Sequence, residues 1–389
     1  MKKIIIVNNN MKVGGIQKSL CNLLWSIHGR YDVTLLLFQA VGDYMNQIPA
    51  DVHVLTTNSL FRFLGISQCE CASIRERLQR GSLASFCKLF GRPAVLRYML
   101  FTQKTLPEEY DCAISFLHNG DVRHFYGGVN EFVLFKVRAQ WKAAFLHCDY
   151  QNCGANHPAN NRLYQGFDRI AACSDGCRRS FAAAAPEWKE RCVTVRNFHR
   201  DREIRRMAHR ECVAYRPGEF HLLFVGRLAH EKAVDRAIRA VAYAIERGIP
   251  VSLHIVGSGA MLVQLKELAL MLNIGNAVCF YGEQTNPYRF MPKADLLLVT
   301  SYHEAAPMVI DEARIVGLPV LTVETTSSTE MVLDRQCGWV CENTQACLNE
   351  ALTELLCNAS QLEEMKKSLE DSASDWEETF RQFQLLIGD

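Results

Sequence analysis

Short apolar runs of strand length alternate with helical patterns of apolar and polar residues along the whole chain. This alternation is typical of parallel sheets wound by helices. The pattern predicts strands in the first half at residues 3–7, 33–38, 111–116, 143–146 and 169–172. It predicts strands in the second half at residues 221–225, 252–256, 277–281, 296–300, 320–323 and 338–341. We therefore predict the α/β class, with two doubly wound parallel sheets.

The two halves are separated by a polar, strongly charged stretch at residues 198–215, which ends in Arg216-Pro217-Gly218. A length of 389 residues also favours two domains. We predict an N-terminal domain over 1–197, a C-terminal domain over 198–370 and a terminal segment over 371–389. That segment carries an apolar stripe at helical spacing, so we expect its helix to cross back to the first domain.

Residues 74–104 do not follow the alternation of strand and helix patterns. They interleave apolar residues with the cations Arg75, Arg77, Arg80, Lys88, Arg92 and Arg97. A basic amphipathic helix of this kind can lie on an anionic membrane surface. A helical insertion with a solvated basic face explains the pattern equally well, and the sequence leaves both interpretations open.

Composition excludes several classes of protein. The net charge of +1 argues against a nucleic-acid partner, and the apolar runs are too short to span a bilayer. The 16 cysteines are scattered through predicted strands and helices, which favours a reducing cytoplasm and buried thiols. Cys69-Glu70-Cys71 lacks a second pair, so we predict no metal site.

The first strand runs into Gly14 and Gly15, after which a helix begins near Ile16. Glycines at such a turn let backbone amides approach a phosphate at the helix N-terminus. A plain turn is an equally good interpretation of this pair alone. The turn is not a GxGxxG motif, so a nicotinamide-dependent oxidoreductase is disfavoured.

Two cations follow the strand at 221–225: Arg227, directly after Gly226, and Lys232. Cations at the carboxyl end of a central strand can hold a diphosphate and stabilise the charge that develops when it departs. The alternative is an ordinary pair of surface cations.

A second polar block, residues 301–313, follows the strand at 296–300. Pro307 is predicted at the first position of a helix, with the backbone amides of residues 306–310 free to bind an anion or a hydroxyl. Glu304 precedes that helix and is suited to hydroxyls of a sugar. Glu312, two turns along it, is suited to a ribose diol.

Together these motifs resemble retaining glycosyltransferases of family 4, within the group 1 glycosyl transferases. The resemblance is carried by the Glu304–Glu312 spacing, the run from Gly226 to Lys232 and the Gly14-Gly15-Ile16-Gln17 turn. It implies the GT-B fold, in which two Rossmann-like domains face each other across a cleft. It also implies transfer of a sugar, with retained configuration, from a nucleotide-diphosphate sugar to a saccharide or lipid-linked hydroxyl acceptor. Neither a metal nor another cofactor is expected.

The resemblance also assigns roles. Catalytic roles fall to Arg227 and Lys232 on the diphosphate and to Glu304 at the donor sugar, and Glu312 binds the ribose. Further substrate-binding positions are Gly14, Gly15, Gly226, Gly257, Gly282, Glu283, Ala305, Ala306, Pro307, Met308 and Val309. Ala305 stands where the family commonly has glycine, and its methyl narrows the approach of the sugar.

Two histidines end predicted strands in the first half, His118 and His147. His147 resembles the family's histidine that contacts donor sugar or acceptor, so we predict a catalytic role for it and a substrate-binding role for His118. Structural roles are the alternative for both. The expected setting is polysaccharide or glycolipid synthesis in the cytoplasm, on or near the inner face of the membrane. A sugar-nucleotide epimerase and a non-catalytic sugar-nucleotide-binding protein remain alternatives.

Overall fold

The computed structural model describes residues 1–57 and 60–389. The chain divides into two compact units. Unit 1 comprises Met1–Phe198 and Trp376–Asp389, and unit 2 comprises His199–Asp375. The division therefore lies one residue after the predicted boundary at 197, and the returning C-terminal segment begins at 376 rather than 371.

Thirteen strands and thirteen α-helices make up the described part of the chain. The strands are β1 Lys3–Asn8, β2 Asp32–Leu37, β3 His53–Thr56, β4 Glu109–Ser115, β5 Arg138–Leu146, β6 Arg169–Ala172, β7 Cys192–Thr194, β8 Phe220–Val225, β9 Val251–Val256, β10 Val278–Gly282, β11 Leu296–Val299, β12 Val320–Val323 and β13 Gly338–Cys341. The helices are α1 Gly15–Ile27, α2 Ile74–Phe90, α3 Arg92–Thr102, α4 Val129–Lys136, α5 Pro158–Asn161, α6 Asp175–Ala184, α7 Asp201–His209, α8 Val234–Ile245, α9 Leu262–Met271, α10 Met308–Val316, α11 Gln345–Cys357, α12 Ala359–Ser368 and α13 Trp376–Ile387.

Unit 1 contains a sheet of seven strands in the order β3-β2-β1-β4-β5-β6-β7, and every pairing is parallel. The five strands predicted in the first half are confirmed. The sequence missed β3, whose four residues are all exposed and so show no apolar pattern. It also missed β7, which has three residues and lies next to the charged boundary stretch.

Unit 2 contains a sheet of six parallel strands in the order β10-β9-β8-β11-β12-β13. All six strands predicted in the second half are confirmed. The central strands β8 and β11 pair directly, and the chain order reverses between them. In open α/β sheets, ligands bind at the carboxyl ends of the strands at such a reversal.

The C-terminal helix α13 packs into the core of unit 1. Phe383 and Leu386 are fully buried, and the Phe383 ring lies 6.4 Å from that of Phe198. The indole of Trp141 donates a 2.8 Å hydrogen bond to the Leu386 carbonyl. The apolar stripe of the last helix is therefore covered by unit 1.

The insertion forms two helices, α2 and α3, separated by Gly91 at φ 82°. Arg92, predicted as part of the basic face, is instead fully buried. Its guanidinium donates to the carbonyls of Gly120 and Asp121 and to the side chain of Asn160, so buried acceptors draw it inward. Within residues 1–57 and 60–389, no helix has both the length and the apolar character needed to cross a membrane.

Candidate functional site

The loops after β8 and β11 bring Lys232 and Glu304 into contact. The Lys232 ammonium lies 2.6 Å from the Glu304 carboxylate, whose side chain is only 9% exposed. The Ser301 hydroxyl donates a second 2.6 Å hydrogen bond to the same oxygen. Two residues that lie 72 positions apart in the sequence therefore form one ion pair at the end of the sheet.

Local backbone geometry holds this pair in place. Lys232 ends a short 3-10 turn, His230–Lys232, and Ala233 after it has a left-handed backbone at φ 45°. A non-glycine residue in this region costs roughly 1–2 kcal/mol. The Thr300 hydroxyl donates a 2.9 Å hydrogen bond to the Ala233 carbonyl, and the Tyr302 amide donates to the Glu231 carbonyl at 3.0 Å. The loop after β11 thus stabilises the strained turn after β8, which no sequence signal indicated.

Arg227, the second predicted cation, points to solvent. Its side chain is 70% exposed and pairs with Glu231 at 2.8 Å. An exposed pair of this kind contributes little to stability. The guanidinium is therefore held weakly and can exchange this partner for an anion.

Glycines let the loops after β8, β9 and β10 pack closely. Gly257 has φ 147°, and a Cβ there would lie 1.8 Å from the Gly226 carbonyl oxygen. The Gly257 amide donates to the Gly282 carbonyl at 2.8 Å, and Ser258 donates to the Glu283 carboxylate at 3.0 Å. The predicted Gly226, Gly257 and Gly282 thus lie close together, because the backbone of Gly257 is in direct contact with that of the other two.

The start of α10 differs in detail from the prediction. Pro307 is the N-cap residue rather than the first helical residue, and α10 begins at Met308. The Ile310 amide is not free, because it donates to the Pro307 carbonyl at 3.1 Å. Ala306, which also lies in the predicted run of free amides, has an interaction partner as well. The amides of Met308 and Val309, at the first two helical positions, have no acceptor within the helix.

Glu312 lies on the buried face of α10. It is 3% exposed, and the Tyr288 hydroxyl lies 3.4 Å from its carboxylate. The neighbouring Asp311, also buried, pairs with Arg335 and lies 3.2 Å from His199. This second buried carboxylate was not predicted, although an Asp-Glu pair within an apolar helical pattern indicated it.

In unit 1, the Gly14-Gly15 turn lies between the end of β1 and the start of α1. The Gln17 side chain donates to the side-chain oxygens of Asn9 and Asn10 at 3.3 and 3.4 Å. A Cβ added at Gly15 would have no atom within 4 Å, so the space beside this turn is open. Backbone amides at an open helix N-terminus are suited to an anion.

The structure brings His118 and His147 together. The His147 ring stacks on Phe145 at 5.3 Å and lies 4.7 Å from the Phe116 ring. Burial and the nearby His118 lower the pKa of His147 to about 3. Burial, with a smaller effect of Arg92, lowers the pKa of His118 to about 4. Both imidazoles are therefore neutral near pH 7, and neither is suited to act as a general base there.

His118 also lies close to two cysteines, which was not predicted. One of its ring nitrogens and the sulfurs of Cys148 and Cys153 lie within 4.8 Å of one another. The two cysteines are separated by four residues, a spacing that differs from the paired CxxC pattern typical of zinc sites.

Comparison with known sequences finds matches to part of the chain. Residues 208–372 match the family model described as glycosyl transferases group 1. A 137-residue segment is 35% identical to lipopolysaccharide glucosyltransferase WaaG of Escherichia coli K12 and covers 35% of this chain and 37% of that protein. A 118-residue segment is 38% identical to D-inositol 3-phosphate glycosyltransferase of Rhodococcus erythropolis, covering 28% of this chain and 26% of the relative. The matches thus span about a third or less of these relatives.

Solved structures match over the full length. The crystal structure of WaaG, described as a glycosyltransferase involved in lipopolysaccharide biosynthesis, has a TM-score of 0.65 at 18% identity and covers 99% of this chain and 100% of that one. Anabaena Alr3699/HepE in complex with UDP and glucose has a TM-score of 0.70 at 17% identity, with full coverage of both chains. The expected GT-B fold is confirmed, as is the group 1 resemblance, while family 4 stays a prediction.

Proposed function

We propose that this chain, whose residues 208–372 belong to the group 1 glycosyl transferases, moves a sugar from a nucleotide-diphosphate sugar to a hydroxyl acceptor with retained configuration. The observation that carries the proposal is the contact of Lys232 and Glu304, together with Ser301, at the carboxyl ends of the two central strands of unit 2. An acid and a cation in contact at a topological switch point suit a polar, anionic donor.

The donor diphosphate is assigned to Lys232, Arg227 and the first amides of α10. Lys232 supplies a fixed charge, whereas the exposed Arg227 can turn toward a bound phosphate. Positive charge near the leaving diphosphate stabilises the negative charge that develops on it as its bond to the donor sugar breaks. This chemistry needs no metal, so metal-independent transfer is part of the proposal.

Glu304 is assigned to hydroxyls of the donor sugar and Glu312 to the ribose. Each carboxylate is already oriented by a protein hydroxyl, Ser301 for Glu304 and Tyr288 for Glu312. Preorganised acceptors of this kind lose little freedom when they bind a diol. The alanine at 305 adds bulk beside Glu304 and favours a sugar that makes few contacts there.

Unit 1 is assigned to the acceptor side. The low pKa of His147 makes it a hydrogen-bond partner of a hydroxyl rather than the base that removes its proton. The acceptor proton then passes to an oxygen of the departing phosphate as the new glycosidic bond forms. His118 completes this side of the proposal, whereas the backbone amides of the Gly14-Gly15 turn are assigned to a phosphate of the donor.

The acceptor is proposed to be lipid-linked, with the insertion resting on a cytoplasmic membrane surface. Leu89 and Phe101 are 78% and 89% exposed, and cations such as Arg75, Lys88 and Arg97 are exposed on the same two helices. Exposed apolar and basic side chains together suit an anionic bilayer, with about 1 kcal/mol gained per cation near the surface.

Vesicle sedimentation tests the membrane contact. Binding to phosphatidylglycerol-containing vesicles, and not to pure phosphatidylcholine, should be lost in the triple variant R75Q/K88Q/R97Q. The matched control R206Q/R210Q/R239Q removes three exposed cations from unit 2 and should bind as wild type does. Equal loss in the two triple variants contradicts a specific surface.

A donor screen tests the transfer. UDP-, GDP- and ADP-sugars are incubated first without acceptor and then with lipid-linked saccharides, starting with UDP-glucose because Alr3699/HepE was solved with UDP and glucose. Nucleoside diphosphate released only with acceptor, and lost in E304Q, supports the proposal. An altered donor sugar without acceptor indicates an epimerase, and binding without turnover indicates a non-catalytic protein. NMR of the product's anomeric proton decides between retention and inversion.

A further inference from the structure

Three side chains with metal-binding atoms meet at the carboxyl ends of β4 and β5, outside the donor loops. A ring nitrogen of His118 and the Sγ atoms of Cys148 and Cys153 lie within 4.8 Å of one another. His118 is 8% exposed, and its buried Nδ1 has no hydrogen-bond partner among the described residues. A buried nitrogen without a partner is costly, and a bound cation is one way to satisfy it.

The loop that carries the two cysteines is held by hydrogen bonds and by one buried side chain. The Asp149 carbonyl accepts the Cys153 amide at 3.0 Å. Its carboxylate accepts the Ser180 hydroxyl and the Asn152 side-chain amide, both at 2.7 Å. Tyr150, fully buried, anchors the middle of the loop. These bonds fix the course of the loop, and the Cys148 and Cys153 thiols hydrogen-bond each other close to His118.

We propose that His118, Cys148 and Cys153 form a binding site for Zn²⁺, with one imidazole and two thiolate ligands and a fourth position left for water. Thiolate and imidazole are the ligands that Zn²⁺ prefers, and Cys₂His sets with an open position are known for it. The proposed transfer itself uses no metal, and the zinc site competes with it only for His118, which the proposed function assigns to the acceptor side.

The geometry and the charge both suit this ion. Tetrahedral Zn–S bonds of about 2.3 Å and Zn–N bonds of about 2.0–2.1 Å place the two sulfurs ~3.8 Å apart and the nitrogen ~3.6 Å from each sulfur. Atoms that lie within 4.8 Å of one another must therefore approach by at most ~1.2 Å. Binding releases the thiol protons to solvent, and the two thiolates then neutralise the cation. The occupied site therefore carries no net positive charge, so it does not repel the guanidinium of Arg92, whose charge acts on His118.

Occupation would change the unit 1 site. His118 would be committed to the metal and withdrawn from substrate, and the loop that begins directly after His147 would be tied to the end of β4. The predicted substrate-binding role of His118 and the zinc site are thus mutually exclusive in a single molecule.

Metal titration on the full chain tests the site. Chelator-treated protein, kept under reductant, is titrated with Zn²⁺ against a chromophoric chelator and with Co²⁺ for its spectrum. We expect one tight equivalent of Zn²⁺ and thiolate-to-cobalt charge-transfer bands. C148S and C153S should lose both, and H118N should weaken binding at least tenfold. C357S, which removes another exposed thiol, should change neither.

Several outcomes overturn the proposal. Wild-type zinc uptake in C153S, cobalt spectra without thiolate bands, or equal loss in C357S would each do so. A Cys148–Cys153 disulfide that persists under reductant, with no zinc bound, would assign the pair to redox chemistry instead. Because Cys148 is buried and C148S can fail to fold, the exposed Cys153 carries the decisive variant.

Discussion

From the contact between Lys232 and Glu304 we predict separate effects on the free energy of unfolding and on the rate of transfer. In K232M the Glu304 carboxylate, 9% exposed, keeps the Ser301 hydroxyl but loses the cation 2.6 Å away. Breaking a fully buried ion pair costs about 3–5 kcal/mol. Because the Lys232 side chain is 26% exposed, we expect a smaller loss, about 1–3 kcal/mol in the free energy of unfolding.

The double variant K232M/E304Q removes the unpaired charge as well, since the glutamine is neutral and its oxygen still accepts from Ser301. We therefore expect most of the lost stability to return. Transfer should not return, because the cation that stabilises the departing diphosphate is still absent. Loss of one such group costs about 10²–10³ in kcat.

Denaturant unfolding and released nucleoside diphosphate measure the two effects on the same samples. E304Q alone completes the double-mutant cycle and gives the coupling energy between the two side chains. Wild-type turnover in K232M would refute the catalytic assignment. Recovery of both stability and turnover in the double variant would show that the rate loss came only through folding.

Three further predictions address other parts of the molecule. R227A should raise the donor KM while changing unfolding free energy by less than about 0.5 kcal/mol, because its pair with Glu231 is exposed; an equal loss of stability and affinity would contradict this. F383A should destabilise unit 1 by about 3–5 kcal/mol in thermal or denaturant unfolding, whereas L385A, at a site 62% exposed, should cost under about 0.5 kcal/mol; similar effects would deny the packing of α13. Burial and the nearby His221 lower the pKa of His254 from 6.5 to about 4. Between pH 6.5 and pH 4 the unfolded chain therefore binds more protons than the folded chain, so the free energy of unfolding should fall by roughly 1–2 kcal/mol as the pH drops from 6.5 to 4. H254Q should flatten that segment of the pH profile, and an unchanged profile would count against the assignment.

The strands of the two sheets were predictable because their burial pattern is local. All six strands of unit 2 are apolar runs that stop where polar loops begin, and their bounds differ from prediction by a residue or so. Prediction failed for β3, whose exposed residues gain their strand conformation only by pairing with β2. It also failed for Arg92, because the carbonyls that hold it belong to a loop almost thirty residues away.

The candidate site, too, has some features that the sequence predicts and others that it does not. Lys232 and Glu304 could each be placed at the end of a strand from nearby sequence alone. Their contact could not be read there, because it depends on β8 and β11 being neighbours although β9 and β10 lie between them in the chain. The left-handed Ala233 and the position of Pro307 as N-cap are adjustments to that contact, and nothing in the local composition indicates them.

The chemistry open to His147 depends on its surroundings in the folded protein. Position at a strand end and the family resemblance predicted a catalytic histidine. In the folded sheet, burial beside the rings of Phe116 and Phe145 and, to a smaller extent, the charge of nearby His118 lower its pKa to about 3. A base that weak removes little of an acceptor's proton near pH 7. The proposed transfer must then draw its acceleration from positioning and from the fixed charge of Lys232, with a phosphate oxygen of the donor taking the proton. On this reasoning, replacing His147 should impair orientation of the acceptor more than it alters the dependence of the rate on pH.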